Sequence, residues 1–551
     1  ANLRDLAAVQ SDRRQLAAAA VRSFLDNRLL LPDFDRHLTA AGHVLAWKGS
    51  VLVRQQQRRL FLRLSGDPAA RREAERLRAA TRDLAALRAS PAAPRARLAA
   101  LEKEQEEAQA RLSALSGDFR AARGEERLSP EKLADALPGG AVLVDYLFYH
   151  KKLAAFVHRR GTKAARIDLG KAAPVEEAVG EWRPLLLRGR PSAAAGQKLR
   201  KLVLEPLSKH LEGAKALLVS PDGVLGTLPF AALPGKAEGS YLIEDVAVAV
   251  VPVPQALPDL LAPVDKKERL APALLVAGDL CYEPGTDDKA APVGEDSRSA
   301  PRSGRLGFAP LAATKAEIVA VKASFSDLFR TGTATDLRGG KATKKAVREH
   351  LPKARYAHFA TYGFFAPEKA TSVMHGNARA GIPDREVTGW HPLLLSGLAL
   401  SGANRDPRPG EEDGILTALE VSEMDLTRLE LAVLSACETG LGKVAGGQGI
   451  LGMQAAFQAA GARSVIASLW HVDDEATRQL MSDYYAQAWD ARKAVGKAEA
   501  LRKAQLATLF GKTLDGKPRG VRRGIGGEKE IEADRAHPYS WAAFVLSGDW
   551  R

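Results

Sequence analysis

Beyond about residue 133 the chain is built from short apolar runs, among them AVLVDYLFY, ALLVS, RYAHFAT, LELAVLSA and RSVIASLW, with stretches of helical periodicity between them. This alternation constrains the fold more than any other feature. Strands apolar on both faces must be covered on both faces, and regular strand–helix alternation produces a mostly parallel sheet. The predicted fold class is therefore α/β: a mostly parallel sheet with helices on both faces, preceded by an all-α helical region.

The helical region occupies residues 1 to about 123. Residues 1–66 read as helical fragments broken at Pro32 and Gly42, the remnant of an upstream helical repeat array, although no self-similarity at the roughly 34-residue tetratricopeptide period survives. Residues 67–123 read as a helical hairpin. Asp67-Pro68 has the order of an N-cap followed by a first-turn proline, and Leu98, Leu101, Ala108, Leu112 and Leu115 form an apolar seam at 3–4 spacing. EKEQEEAQAR on the outer side reads as a solvated face. Residues 130–265 are the first half of the α/β region, with a hairpin turning at His150-Lys151-Lys152. Residues 266–305 read as a flexible linker or processed loop, because EPGTDDKAAPVGEDSRSAPRSGR lacks periodicity; Cys281 beside it reads as a bystander. Residues 306–551 are the second half. There a helix is expected to open at Gly414-Ile415-Leu416-Thr417, GKTLDGKPRGVRRGIGGEKE is expected to be a mobile loop, and HPYSWAAFVLSGDW is expected to close the chain as a packed helix with a tail.

At 551 residues the chain is too long for one ordinary core, and two or three domains are expected. Two cysteines make no disulfide framework, which points to a reducing, cytoplasmic setting. No apolar run approaches the roughly 20 residues that span a bilayer, so no membrane association is expected. The net charge of +14 comes from Arg spread over helices that also carry Glu and Asp, without the aromatic-spaced basic patch of single-strand binders, so no nucleic-acid partner is expected either. The chain opens on Ala1, as a processed product or a piece with an upstream segment would.

The chemistry centres on LAVLSACETGLG. Its apolar run ends at Ser435-Ala436-Cys437, and ligands of open α/β sheets gather at the C-terminal ends of strands. Only a thiolate is a good nucleophile, so Cys437 needs a base or a lowered pKa. A second strand end, HFATYGFF, offers Tyr362 where a histidine would serve best. If the two strands are neighbours, residues 362 and 437 face each other, and the N–H groups of Gly363 and Cys437 can form an oxyanion hole.

The landmarks HFATYGFF, DGILTALEV, LAVLSACETGLG, GGQGILGMQAAFQAAGARSVIASLWHVDD and HPYSWAAFVLSGDW, in this order, resemble those of CHAT domains, caspase-like cysteine peptidase domains of the clan of caspases and separase. SPDGVLGTLPFAAL and YLIEDVAVAVVP resemble the N-terminal, pseudo-caspase-like half of the same domain. The resemblance covers about residues 130–551, and in this family the domain often follows tetratricopeptide repeats. It implies a caspase-like fold and cleavage of a protein substrate by a Cys–His dyad through a thioester. Cys437 matches the nucleophile, and Tyr362 stands where the family has its catalytic histidine. His358 matches the first histidine of that motif, usually structural.

A phenol ordinarily titrates near 10 and is a poor acceptor for a thiol proton at neutral pH. Two readings therefore stand side by side: a cysteine endopeptidase, in bacteria often tied to defence, and a catalytically silent pseudopeptidase that holds protein partners. A substitute base is sought first in His358, which shares a side of its strand with Tyr362 by period-2 spacing, and then in His375, His391 and His471. Asp473, Asp474 and Glu438 are candidates for a pocket that selects a basic substrate residue; capping is the plainer role for at least one of the aspartates. Asp413 reads as a turn or cap residue. No cofactor is implied: His and Cys do not cluster at metal-ligand spacing, and VAGGQGILG lacks the Lys-Ser/Thr of a phosphate loop. The expected partner is a protein substrate or protein ligand, with an upstream or separate repeat protein for regulation.

Overall fold

In a computed structural model the described residues are 41–42, 44–45, 48–88, 95–122, 128–262, 271–283, 308–311, 313–365, 393, 396–405, 412–436, 443–445, 449–470, 474–490, 492–517 and 536–551. The described helical region comprises α1 (Ser50–Ser65), α2 (Pro68–Arg88) and α3 (Arg95–Ala122). Asp67 caps α2 as its sequence predicts, its carboxylate accepting from the Ala69 N–H at 2.8 Å. The seam of α3 is buried at Leu101, Ala108 and Leu112. The outer face is less solvated than its composition implies. Gln105 donates to Thr81 at 2.9 Å in a buried contact, and Arg76 bridges from α2 to Glu104 and Glu107.

The strands are β1 (Ala141–Tyr149), β2 (Lys152–Arg159), β3 (Ala165–Lys171), β4 (Ala216–Ser220), β5 (Ala247–Val250), β6 (Ala273–Leu280), β7 (Thr333–Gly339), β8 (Tyr356–Thr361), β9 (Gly363–Phe365), β10 (Ser396–Ala399), β11 (Ile415–Thr417), β12 (Leu431–Ala436), β13 (Lys443–Ala445), β14 (Gly449–Leu451), β15 (Ser464–Ser468) and β16 (Phe544–Gly548). Eleven of them form one sheet in the order β3-β2-β1-β4-β5-β16-β15-β12-β8-β6-β7. It is mainly parallel, with antiparallel pairs at β1–β2, β2–β3 and β15–β16. The predicted hairpin turns through His150 and Lys151, both with positive φ (39° and 59°), which matches the right-handed twist of the flanking strands.

The principal helices of the α/β region are α4 (Ala172–Leu187), α5 (Ala193–Val203), α6 (Thr314–Leu328), α7 (Lys344–His350), α8 (Ala418–Ser422), α9 (Met453–Ala459), α10 (Asp474–Ala488) and α11 (Lys497–Leu509). Period-2 alternation distributes the central strands between two cores. Val276, Tyr356, Val433 and Ile466 pack with Ile318 of α6, Tyr484 of α10 and Leu501 of α11. Ala277, Phe359, Leu434 and Val465 face the other way, toward Val347 of α7, Leu419 of α8 and Phe457 of α9. Leu84 and Leu101 of the helical hairpin join this second core, so the hairpin is part of one covering layer.

Three expectations need correction. HPYSWAAFVLSGDW is not a closing helix. Its Phe544–Gly548 is β16, which lies between β5 and β15, because both faces of this run are needed as core. Ile415–Thr417 is a strand, and α8 starts only after Thr417, whose hydroxyl accepts from the Glu420 N–H while the Glu420 carboxylate accepts from the Thr417 N–H. Within the segment read as linker, Ala273–Leu280 is β6, paired on both sides by β7 and β8. Residues 284–307, most of that polar run, and residues 518–535 of the expected mobile loop lie outside the described residues.

Candidate active site

Strands β8 and β12 are neighbours, parallel, and in register from Leu431 opposite Tyr356 to Ala436 opposite Thr361. Tyr362 thus follows one strand end and Cys437 follows the adjacent one. Cys437, Glu438 and Asp473 lie outside the described residues, as do His375, His391 and His471. Asp474 opens α10; its side chain lies outside what is described.

After Thr361 the chain leaves the main sheet and enters a small one, ordered β11-β10-β9. Thr361 is the pivot. Its hydroxyl donates to the Ala399 carbonyl at 2.6 Å, so the Tyr282 hydroxyl, 2.8 Å away, donates to Thr361 Oγ1. The Ala399 N–H donates to the Tyr362 carbonyl at 2.9 Å. The next pair, Gly363 opposite Leu398, is then a non-hydrogen-bonded pair, and the Gly363 N–H points away from β10.

Tyr362 is half-buried, and its ring packs with Tyr282 (centroids 5.7 Å apart) and Phe308 (5.4 Å). Phe308 is pinned there by Asn404, whose side chain accepts from the Phe308 N–H and donates to its carbonyl, both at 2.9 Å, while the Asn404 N–H donates to the Tyr282 carbonyl at 3.0 Å. Nothing in the sequence pattern singles out Tyr282, Phe308 or Asn404; they meet only through the order of β6, β8 and β10.

His358 is not on the same side as Tyr362. It is fully buried on the α6 and α10 face of the sheet, with Nε2 3.0 Å from Glu317 Oε1 and Nδ1 2.9 Å from the Tyr485 hydroxyl. An ionised Glu317 only accepts, so Nε2 donates to it, and with a neutral ring the Tyr485 hydroxyl donates to Nδ1. Burial raises Tyr485 well above the usual phenol range, so it keeps that proton. The period-2 argument fails because the strand ends at Thr361 and the chain turns before Tyr362.

Asp413 does more than close a turn. Lys344 Nζ lies 2.8 Å from Asp413 Oδ1 and 2.9 Å from Glu420 Oε1, and all three side chains are about 5% exposed or less. Burial alone would lower the Lys344 pKa, yet the two carboxylates raise it overall. This triad ties α7 to both ends of β11, and thereby holds the small sheet that carries Gly363. Glu420 is legible as the last member of a Thr-x-x-Glu capping box; Lys344 carries no sequence signal. Among the described residues no cluster of three or more His, Cys, Asp or Glu side chains could hold a metal ion, and no helix is long and apolar enough to cross a membrane.

Comparison with known proteins bears on this geometry. The chain is 25% identical over 351 residues to human tetratricopeptide repeat protein 28, and equally to the mouse protein; the match covers 62% of the chain but only 12% of the length of those relatives. Among solved structures, separase from the Saccharomyces cerevisiae separase–securin complex aligns with 9% identity and a TM-score of 0.40, over 80% of this chain and 32% of that one. Porphyromonas gingivalis RgpB, in a complex of its pro- and mature domains, aligns with 10% identity and a TM-score of 0.35, over 68% and 75%. At these scores the structural likenesses carry nothing about activity. The CHAT domain, by contrast, matches residues 193–549, well over half of the chain, and the chain belongs to the CHAT domain family.

Proposed function

We propose that the chain is a caspase-like cysteine endopeptidase module acting on a protein substrate, with Cys437 as nucleophile and Tyr362 in the place of its general base. The observation that carries this reading is the register of β8 on β12, which ends with Thr361 beside Ala436. In this reading the Cys437 sulfur attacks the scissile carbonyl carbon, and the carbonyl electrons move onto oxygen, held by the N–H groups of Gly363 and Cys437. The thiol gives up its proton as the C–S bond forms, that proton passes to the leaving amine as the C–N bond breaks, and water then hydrolyses the thioester to a carboxylic acid and the free thiol. A histidine would carry that proton in both directions; a phenol that titrates near 10 does not take it from a thiol at neutral pH.

A second reading, a catalytically silent module that holds a protein partner in the same cleft, is favoured by the packing of the Tyr362 ring against Tyr282 and Phe308. In either reading Asp473, Asp474 and Glu438 are the candidates for a pocket that selects a basic residue, with at least one of the aspartates capping a helix instead; the helical region regulates the cleft together with an upstream or separate repeat protein, and the setting is the cytoplasm. His358, with both ring nitrogens engaged, supports the sheet rather than acting as the base.

A thiol-reactive peptidyl probe applied to the full chain with and without Tyr362→His separates the readings. Labelling and cleavage only in Tyr362→His means an intact peptidase cleft that lacks its base. Labelling and cleavage by the unaltered chain removes the silent reading. If neither form reacts, the endopeptidase reading fails.

A further inference from the structure

Where the helical region rests on the C-terminal half, α1, α2 and the turn after α8 line a cavity of about 290 Å³ that holds Arg58, Arg59, Arg71 and Arg78 together with the carboxylates of Glu75, Glu423 and Asp425. The guanidinium groups reach it from two helices; Arg58 donates to Ser113 Oγ at 3.5 Å. Arg59 donates through Nη2 to the Ser422 carbonyl at 2.6 Å, while its Nη1 is out of contact with solvent and has no acceptor among the described residues. Arg71 and Arg78 are exposed and have no ion-pair partner among the described residues. Burial pulls Arg59 down to about 10 in spite of Glu423 and Asp425, and Arg58 and Arg78 add repulsion. Of the acids, Asp425 turns its carboxylate to the N–H and hydroxyl of Thr427.

A sequestered cationic N–H without an acceptor is costly, and folded proteins seldom leave one so. A single water would satisfy Arg59 Nη1 but would not relieve the repulsion among the guanidinium groups. A planar carboxylate matches one guanidinium fork. A tetrahedral oxyanion presents acceptors in several directions at once, which suits forks arriving from α1 and α2. We propose that this cavity binds the phosphate or diphosphate group of a small ligand and thereby clamps the helical region onto the C-terminal half. The proposal is independent of the peptidase reading, because none of these residues belongs to the strand ends at Tyr362 and Cys437.

The test is isothermal titration of the full chain at fixed ionic strength with inorganic pyrophosphate, with ADP as a second arm and succinate as the carboxylate control. Saturable pyrophosphate binding is expected. It should weaken about tenfold or more in Arg71→Ala and in Arg78→Ala, which each remove a charge-assisted contact. Both side chains are exposed, so the melting temperature without ligand should be unchanged; Arg59→Lys, which keeps the charge and loses the fork, should weaken binding as well. ADP binding tighter than pyrophosphate identifies a nucleotide, and equal binding a phosphate group alone; either supports the site. Succinate binding as tightly as pyrophosphate overturns the phosphate assignment. No saturable binding, or binding that all three variants leave unchanged, overturns the proposal.

Discussion

Replacing Lys344 with methionine tests whether the buried triad holds the small sheet beside Tyr362. Methionine keeps most of the volume and removes the charge. Asp413 is then left with the Ile415 N–H at 3.1 Å, while Glu420 retains Arg348 at 3.6 Å and its capping contacts with Thr417. Removing one partner of a buried ion pair costs about 3–5 kcal/mol. With Arg348 still facing Glu420, the lower end, about 3 kcal/mol, is expected. Lys344→Met/Asp413→Asn removes the orphaned charge and should recover at least about 1 kcal/mol. Urea unfolding followed by tryptophan fluorescence measures both values, and hydrogen exchange over residues 396–399 and 415–417 should accelerate in the single variant. A loss below about 1 kcal/mol, or a double variant no more stable than the single, refutes the claim that this ammonium holds the two carboxylates. The pH dependence has a fixed sign. A lysine raised on folding contributes fully below its unfolded value, near 10.4, and the contribution disappears only as pH rises through the folded value.

His358→Ala should destabilise the fold by about 3 kcal/mol, since it leaves Glu317 buried without its donor and opens a cavity; in a Tyr362→His background, probe labelling of Cys437 should continue at the same rate, and lost labelling with the fold intact would make His358 part of the reacting machinery. Hydrogen bonds from Arg338 and Lys322 hold Asp336 at about 2 instead of 3.8. Asp336→Asn should therefore cost no more than about 2 kcal/mol at neutral pH. A depressed carboxylate stabilises above its unfolded value, so the gap from wild type in acid unfolding curves should close as pH falls from 3.8 to about 2. Gly548 has φ +97°, and a Cβ there would lie 2.2 Å from the Arg463 carbonyl oxygen; Gly548→Ala should cost more than about 2 kcal/mol in urea unfolding.

The sequence reveals strands whose two faces are both core, such as β8 and β12, because their apolar runs are continuous. It hides β3 and β7, the edge strands, whose ARIDLGK and TATDLRG are mostly half-buried, mix polar with apolar residues and carry no apolar run to find. It misreads β16 because five residues next to a Pro538–Ser540 turn are too few to separate strand from helix by periodicity. Tyr362 and Gly363 are legible as a strand end. The aromatic ring partners Tyr282 and Phe308 and the Lys344 triad are not, since each depends on residues far apart in the chain that only the finished sheet brings together.

The position of β16 also governs when the protein can become whole during synthesis. It is the last described strand to leave the ribosome, yet it joins β5 to β15 at the middle of the sheet. Until it arrives, the two parts of the nascent chain expose facing strand edges, the kind of surface that recruits chaperones or pairs with another chain. A nascent chain that still lacks β16 therefore cannot join the β5 and β15 edges into one sheet.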